Sequence, residues 1–494
     1  MRRGVSVLMI AGMQLVVVGA GIGGLAVALR FGRAGHDVSV IDRDPPPPVD
    51  AASAFAGWRR RSVRQWQQYH VFRTRARREL ARSVPDVLER LALVGAPGAS
   101  GPEGRAGVAG GKDGGFRGLA VRRPVLEWVL RRAVEECPQV TVLSPVAVAS
   151  VAFDARRRCA TGVRTVDGAE LAADVIVDAA GRRSPIRDWS VAAGFECPPV
   201  QRSDCGIAYY TRYYATSPRA DAPPVRGVEA VDDGFMAHAL AIGDAGTIGA
   251  IFVVPAGRPE FRALGSPTGW DAAVGQVERM AEVLHTPRRR PLMPPAAMYG
   301  LENALAPWHP DGLHGPRRVV PVGDSWLVTN PNLAWGASIA LSHGFALADA
   351  LDEHGRDVDT AIGLYRARCV DEVDQRFAEA CETDRALQNG WALSSAPRPA
   401  AELEREALLF GLARLARRGD VDVARRLARR AELLELPDAL WEDEALLAKA
   451  RRSLEERPYD PEHRRTTLDQ TRFLAVIDEA AARSTTSRDG RGSR

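Results

Sequence analysis

The sequence predicts an α/β protein: a parallel sheet with helices packed on it, an antiparallel sheet set into the chain, and a helical C-terminal region. Three stretches carry that reading. Residues 15–30 (LVVVGAGIGGLAVALR), 174–187 (DVIVDAAGRRSPIR) and 317–336 (RRVVPVGDSWLVTNPNLAWG) each run from a short apolar strand into a turn of small residues. The first and third lead on into long apolar helices. A continuous apolar strand followed by a turn and a helix is the pattern of a parallel sheet buried on both faces. Between the second and third stretches, residues 205–215, 235–242 and 247–255 alternate as an antiparallel sheet does.

The first stretch is the most informative. Gly19-Ala20-Gly21-Ile22-Gly23-Gly24 follows a strand and opens a helix. Gly19 is expected to make the tight turn, Gly21 to admit a pyrophosphate to the backbone, and Gly24 to let the helix lie close to the strand. A second strand, 37–41, ends at Asp42, about 20 residues on, where an acidic residue meets a ribose hydroxyl in dinucleotide-binding βαβ units. The bland alternative is an ordinary βαβ turn without a nucleotide.

Pro45–Pro48 end that strand and open a loop. The polar, aromatic stretch 58–72 (WRRRSVRQWQQYHVF) passes into a helix through residue 91. Its arginines Arg59, Arg60, Arg61 and Arg64 either contact phosphate or line a solvated face. His70 is expected to be a packed residue, not a base. The glycine-rich stretch 95–118 is expected to be a mobile loop. Residues 119–134 read as a short strand and a helix with Pro124 in its first turn. Short β segments follow at 140–143, 147–153, 160–165 and 170–172. A helix is expected at 270–284 and an extended linker at 287–295. Asp324, after the strand 317–322, either accepts hydrogen bonds from sugar-like hydroxyls or caps a turn. From residue 401 to 474 leucines recur at helical spacing among Arg/Glu pairs, which suggests solvated helix faces.

The chain has 494 residues, 46% hydrophobic and 26% charged, with a net charge of +4. These are the values of a globular protein with ample core and give no case for nucleic acid. Arginine supplies nearly all the basic charge; the lysines are Lys112 and Lys449. The six cysteines are scattered without a C-x-x-C, so neither zinc nor a redox pair is indicated, and no metal is expected. Arg2-Arg3 and the apolar residues 5–10 superficially resemble a signal peptide. They run directly into the first strand, so a cytoplasmic location is expected, with Met1 and Met13 both open as the start. No run is long and charge-free enough to span a membrane.

Taken together, the glycine turn with Asp42, the segment Asp178-Ala179-Ala180-Gly181-Arg182-Arg183-Ser184 and the late Gly323-Asp324 resemble a known family. It is that of the class A flavin-dependent monooxygenases, of the para-hydroxybenzoate hydroxylase fold, with their epoxidase, geranylgeranyl reductase and halogenase relatives. The resemblance covers about residues 13–400. It implies an FAD-binding Rossmann-like domain of the glutathione reductase/para-hydroxybenzoate hydroxylase type, in two parts (13–189 and 316–400). The inserted antiparallel β-sheet substrate domain takes residues 190–315. A helical C-terminal region (401–480) and a disordered tail (481–494) complete the division.

The resemblance implies FAD as cofactor. Gly19, Gly21 and Gly24, with Ala20 and Gly23 in the same loop, would face its pyrophosphate, and Asp42 its adenosine ribose. Arg43 would lie by the adenine, Arg123 near the flavin and phosphates, and the backbone of Val148 against the adenine. Asp324 would meet the ribitol chain. Gly336 and Ala337 would approach the flavin pyrimidine edge, where the helix dipole favours an anionic flavin.

Two departures stand out. Ala180 occupies the position where the hydroxylases carry aspartate, which puts direct NADPH docking in doubt. NADPH or NADH would then act either directly or through a separate flavin reductase. Ala334-Trp335-Gly336 replaces the usual Gly-x-Gly, which would place Trp335 near the flavin or the substrate tunnel. The halogenase W-x-W-x-I-P segment is missing, and neither lysine sits in one.

The implied activity is hydroxylation or epoxidation of a largely apolar small molecule, through a flavin C4a-hydroperoxide, in secondary metabolism. The alternative is a reductase of the geranylgeranyl reductase type, without oxygen insertion. A third reading is a flavin-binding partner protein whose C-terminal helices dock other proteins. Tyr209, Tyr210, Tyr213, Tyr214, Arg212 and His238 are available for base chemistry, but alternating tyrosines on a strand are more often packing residues. No catalytic residue is assigned.

Overall fold

β1 (Gln14–Val18) is buried except for Gln14, and its apolar run turns at Gly19 into α1 (Ile22–Arg33), from which β2 (Asp37–Ile41) returns. α2 (Arg123–Glu135), with Pro124 in its first turn, leads to β3 (Val140–Leu143), and β4 (Val175–Asp178) follows. The antiparallel strands β5 (Ile207–Thr216), β6 (Val228–Asp232), β7 (Ala237–Ile242) and β8 (Ile248–Pro255) intervene. The chain then re-enters the parallel sheet as β9 (Val319–Pro321) and continues into α3 (Gly336–His354) and α4 (Val358–Gly390). This computed structural model describes residues 12–96, 98–100, 116–216, 225, 227–287, 289–308, 315–355, 357–391, 397–460 and 468–489.

The parallel sheet has the order β9-β4-β1-β2-β3, with every pair parallel. On one face Val17, Val40 and Val177 pack against α1, α2 and α3. On the other, Val16, Val18, Ile41 and Ile176 meet a three-stranded antiparallel sheet, Val148–Asp154, Cys159–Thr165 and Glu170–Ala172. The sheet is thus apolar on both faces, as its sequence requires.

The second large sheet runs β6-β7-β8-β5, with the short strands Arg289–Pro291 and Ala296–Met298 also paired to β5. Its two faces have different fates. Phe252 and Leu240 pack under the helices Pro267–Gln276, Glu278–Leu284 and Gln470–Asp489 through Trp270, Met280 and Phe473. Tyr209, Ala239, Ile251 and Val253 form the opposite face with Met298. The C-terminal helices Ala400–Arg417, Val421–Ala431 and Glu444–Glu456 share a separate core around Leu408, Leu412 and Ala450.

Several expectations need correction. Residues 58–72 do not pass into one continuous helix. A short helix, Ala51–Gly57, precedes them, and two helices, Thr74–Ser83 and Pro85–Leu93, follow, broken where Pro85 removes an amide donor. The helix expected at 270–284 is two, separated at Val277. In the expected linker, Arg289–Pro291 pairs with β5. The mobile loop expected at 95–118 includes paired strands, Gly98–Ser100 with Arg117–Leu119; residues 101–115 lie outside the described part. The last helix reaches Asp489, inside the stretch expected to be a disordered tail, and 490–494 are not described. The proposed N-terminal extension is likewise outside the described residues up to residue 11.

The glycine turn depends on contact distances. Gly19 has φ +106° in the region that favours glycine, and a Cβ on Gly24 would stand 2.0 Å from the Gly19 carbonyl oxygen. A Cβ on Gly21 meets nothing within 4 Å. Gly24→Ala is therefore expected to lose about 3 kcal/mol or more of stability, at the upper end for overpacking. Gly21→Ala is expected to leave the apo-protein's denaturation midpoint within about 0.5 kcal/mol of wild type. Chemical denaturation of the pair checks this.

Candidate active site

The end of β1, the tip of β2, the segment after β4, the segment after β9 and the free face of β5–β8 all open on one cleft of about 560 Å³. Cavities of roughly 300–1,000 Å³ are the usual ligand sites of proteins. Gly19, Gly21, Gly23, Gly24, Asp42, Arg43, Arg123, Val148, Asp324, Gly336 and Ala337 all line it. Ala20 does not. Its amide donates to Asp42 Oδ2 at 2.7 Å, and its carbonyl accepts from Arg60 Nη1 at 2.6 Å. Ala20 thus sits behind the loop and holds it.

Two helices start in this cleft. α1 has Gly21 at its N-cap and α3 has Trp335; neither has a side-chain cap or an acidic residue in its first turn. Their leading N–H groups are therefore available to a phosphate or another anion. Gly23 lies where its Cβ would meet Val322 at 2.9 Å, so α1 and the β9–α3 connection are in close contact. Gly181 has φ +79°, and its closest neighbour is the Cβ of Asp324, which brings the second and third small-residue turns together. Asp324 is a quarter exposed, 4.0 Å from Arg182. Ala334 takes the left-handed conformation (φ 56°) and turns Trp335, 5% exposed, into the cleft wall. These features fit FAD: an uncapped helix start for the pyrophosphate, Asp324 for a polyol and a second helix start for the flavin edge.

Asp42 is more deeply engaged than the sequence suggested. It is 4% exposed and accepts from the amides of Ala20 and Asp44 and from Arg60 Nη2 at 2.5 Å. A carboxylate has about four acceptor sites, so roughly one is left for a ribose hydroxyl. Arg60 is the unexpected residue. Instead of facing solvent it is buried, bonded to Asp42 and Glu127 and 3.4 Å from Asp44. Trp58 and Trp66 flank its guanidinium at 5.5 and 5.8 Å. Glu127, fully buried on α2, also accepts from Arg123 Nε at 2.7 Å. One charge network therefore joins the nucleotide loop to Arg123. The two tryptophans around an arginine run were the available sequence signal of its burial. Arg64 donates to the Tyr299 carbonyl at 2.9 Å.

The residues considered for base chemistry are occupied elsewhere. Tyr209 donates to Asn330 Oδ1 at 2.7 Å, Tyr213 to the Gln68 carbonyl at 3.3 Å, and Tyr214 accepts from Trp270 at 2.7 Å. Tyr210 bonds Tyr299, and Arg212 pairs with Asp271. Burial raises the hydroxyl pKa of each of the four tyrosines, so they stay neutral. His238 borders the cleft, but its Nδ1 lies 2.9 Å from the buried Asp233 and its ring packs on Phe252. His70 borders the cleft and stacks on Phe72; burial, with Arg123 near, lowers its pKa to about 3, so it is neutral. Among the described residues no group of three or more His, Cys, Asp or Glu could hold a metal, and no helix is long and apolar enough to cross a membrane.

The fold is of the para-hydroxybenzoate hydroxylase type, and the cleft has the features that suit FAD. Residues 14–105 match the model of the FAD dependent oxidoreductase family, and the chain is an FAD-dependent oxidoreductase. It is 26% identical over 383 residues to Protein Rv3254 of Mycobacterium tuberculosis, covering 71% of this chain and 76% of that one. PqsL, a probable FAD-dependent monooxygenase from Pseudomonas aeruginosa, aligns at TM-score 0.56 and 18% identity over 77% of this chain and 98% of its own. The flavin-dependent brominase Bmp2 aligns at TM-score 0.58 and 15% identity, over 90% and 99%. At these identities the solved structures share the fold.

Two consequences can be measured. Arg60→Met leaves Asp42 and Asp44 buried without their counter-charge; it is expected to lose about 3–5 kcal/mol in denaturant titration. Asp178, at the end of β4, is turned inward and does not line the cleft. Burial pushes its carboxyl up to about 6, while the Ser184 hydroxyl and the Ala180 amide favour its charged form. Its pKa is higher folded than unfolded, so its contribution is full below about pH 4 and is lost as pH rises through 6. Asp178→Asn is expected to match wild type at pH 4 and to be more stable by on the order of 3 kcal/mol at pH 8. Thermal melts across that range check it.

Proposed function

We propose that this chain is an FAD-dependent monooxygenase that hydroxylates or epoxidises a largely apolar small molecule. The observation that carries the reading is the continuity of the cleft. It runs from the glycine loop and Asp42, past Asp324 and the start of α3, to an apolar sheet wall. On that wall Ala239 pairs across to Ile251, and Ala237 to Val253 and onward to Tyr209. The small alanines leave room above the sheet for a planar or isoprenoid body. Among the described residues no charged side chain of the sheet stands on the wall, so a carboxylate substrate is disfavoured there.

Bound FAD supplies oxygen activation; the protein positions substrate and excludes water. Gly21 and the amides opening α1 hold the pyrophosphate, Asp42 the ribose, and Asp324 the ribitol. The uncapped start of α3 would offer a positive helix end to the pyrimidine edge. Tyr69 and Gln68 border the cleft, and Tyr69 OH and Gln68 Oε1 are buried without a hydrogen-bond partner among the described residues. They are suited to orient one hydroxyl or carbonyl of the substrate. Arg43, Arg61 and Arg183 border the same cleft and form a cationic rim for the electron donor, a pyridine nucleotide or a reductase-borne flavin.

The test begins with reconstitution: purified protein is expected to bind FAD, and a protein that cannot take it up overturns the reading. The flavin is then reduced with NADPH, NADH or dithionite and exposed to ¹⁸O₂ with a panel of neutral aromatic and alkene compounds. Product carrying one labelled oxygen atom is the expected outcome. Turnover without oxygen and without label moves the assignment to the reductase alternative. Reduction by dithionite but by neither nucleotide assigns the electrons to a separate reductase.

A further inference from the structure

The C-terminal helices reach the cleft at one place, the turn that ends the helix Val421–Ala431. Ala431 lines the cleft. Glu432, only 2% exposed, accepts at Oε2 from the Thr74 amide at 2.6 Å and the Thr74 hydroxyl at 2.7 Å, and lies 3.6 Å from Arg73. Leu433 adopts φ +60°, in the region that favours glycine, and buries its side chain in the core of the nucleotide-binding sheet. Its carbonyl accepts from Arg75 Nη1 at 3.1 Å.

These contacts supply what the helix Thr74–Ser83 lacks. Its N-cap, Arg73, makes no side-chain cap. The cap comes instead from Glu432, a carboxylate at a helix N-terminus with two donors to receive. Arg73, so held, donates from Nη2 to the Leu333 carbonyl at 2.8 Å. From the other side Arg376, fully buried, donates to the Glu435 carbonyl at 2.5 Å and sets its guanidinium 4.9 Å from the Trp335 ring. Leu333 and Trp335 thus both hang on the turn 431–435, directly before the start of α3.

We infer that this turn is a working part of the cofactor site: it sets the position of the segment 331–335 at the flavin edge, with Glu432 as the positioning residue. The C-terminal helices therefore serve the chain's own cleft. The inference rests on the proposed FAD reading for its consequence, not for its geometry.

Glu432→Gln removes the charge at constant shape. Arg418→Ala, an exposed arginine in the same helical unit, is the control. Hydrogen–deuterium exchange is read first, on protein without FAD. Amides 333–340 are expected to exchange at least about 10-fold faster in Glu432→Gln than in wild type or Arg418→Ala. FAD affinity, the visible spectrum and the midpoint potential of bound flavin are read next. A weaker affinity, about 10-fold, with a shifted spectrum or potential is expected for Glu432→Gln only. Unchanged exchange overturns the inference. Faster exchange with wild-type affinity, spectrum and potential also overturns it, since the turn would then be structural alone. If Glu432→Gln does not fold, Thr74→Ala, which loses one hydroxyl, must show the same changes at smaller amplitude, and wild-type behaviour in it is equally fatal. A wild-type chain that takes up no FAD would remove the functional reading but leave the exchange result to stand.

Discussion

The structure depends on the approach of α1 to β1 at Gly19 and Gly24, where no side chain fits. That approach aims the first amides of α1 at the cleft. It also lowers α1 onto α3, where Gly344 faces the Gly23 carbonyl at the distance a Cβ would close to 3.0 Å. α3 in turn presents its own uncapped start a short way along the same cleft. Two helix termini of like polarity are thereby brought side by side, an arrangement that repels itself until an anion lies between them. The packing of glycines and the electrostatics of the site are one constraint.

Charge is handled differently at the two ends of the cleft. At the nucleotide end Arg60 and Arg123 are set among Asp42, Asp44 and Glu127, all buried or nearly so. Buried ion pairs of this sort contribute little net stability but fix geometry, because any misplacement leaves a charge uncompensated. At the sheet end the wall is alanine, valine and isoleucine. Beneath it a hydrogen-bonded network, Tyr209–Asn330–Asp384–Asn303, ties β5 and the segment after β9 to α4. Burial raises the Asp384 carboxyl to about 6, partly offset by the two asparagine amides. The rigid, charged end suits a cofactor that stays; the plain end suits a substrate that comes and goes.

Much of this was legible in the chain. The three strand–turn segments are contiguous in sequence, so their glycines, Asp42 and Asp324 could be read directly, and the fold with them. The alternation of 205–255 revealed a sheet, and its two faces followed once the strands were paired. What escaped were partners distant in sequence. Arg60 looked like one of four surface arginines because the carboxylates that bury it stand just beyond β2 and on α2. Asp42 was legible as an acid facing the cleft, but nothing local shows that it must also hold Ala20 and Arg60. Glu432 was one more acid in an Arg/Glu-rich helical region; its partner Thr74 lies 358 positions earlier. His238 had a suitable side chain, but Asp233 and Phe252 engage it.

The late arrival of β9 has a consequence for how the chain is made. The parallel sheet gains its fifth strand at residue 319, α3 follows, and the cap of the helix Thr74–Ser83 comes only at residue 432. On a ribosome, the first hundred residues must wait through three more rounds of sheet building before their packing partners emerge. Until then the surface of α1 that packs on α3 is exposed nascent chain, a species that invites chaperone binding or aggregation. A chain that stops before Glu432 leaves the Thr74 amide and hydroxyl without their acceptor.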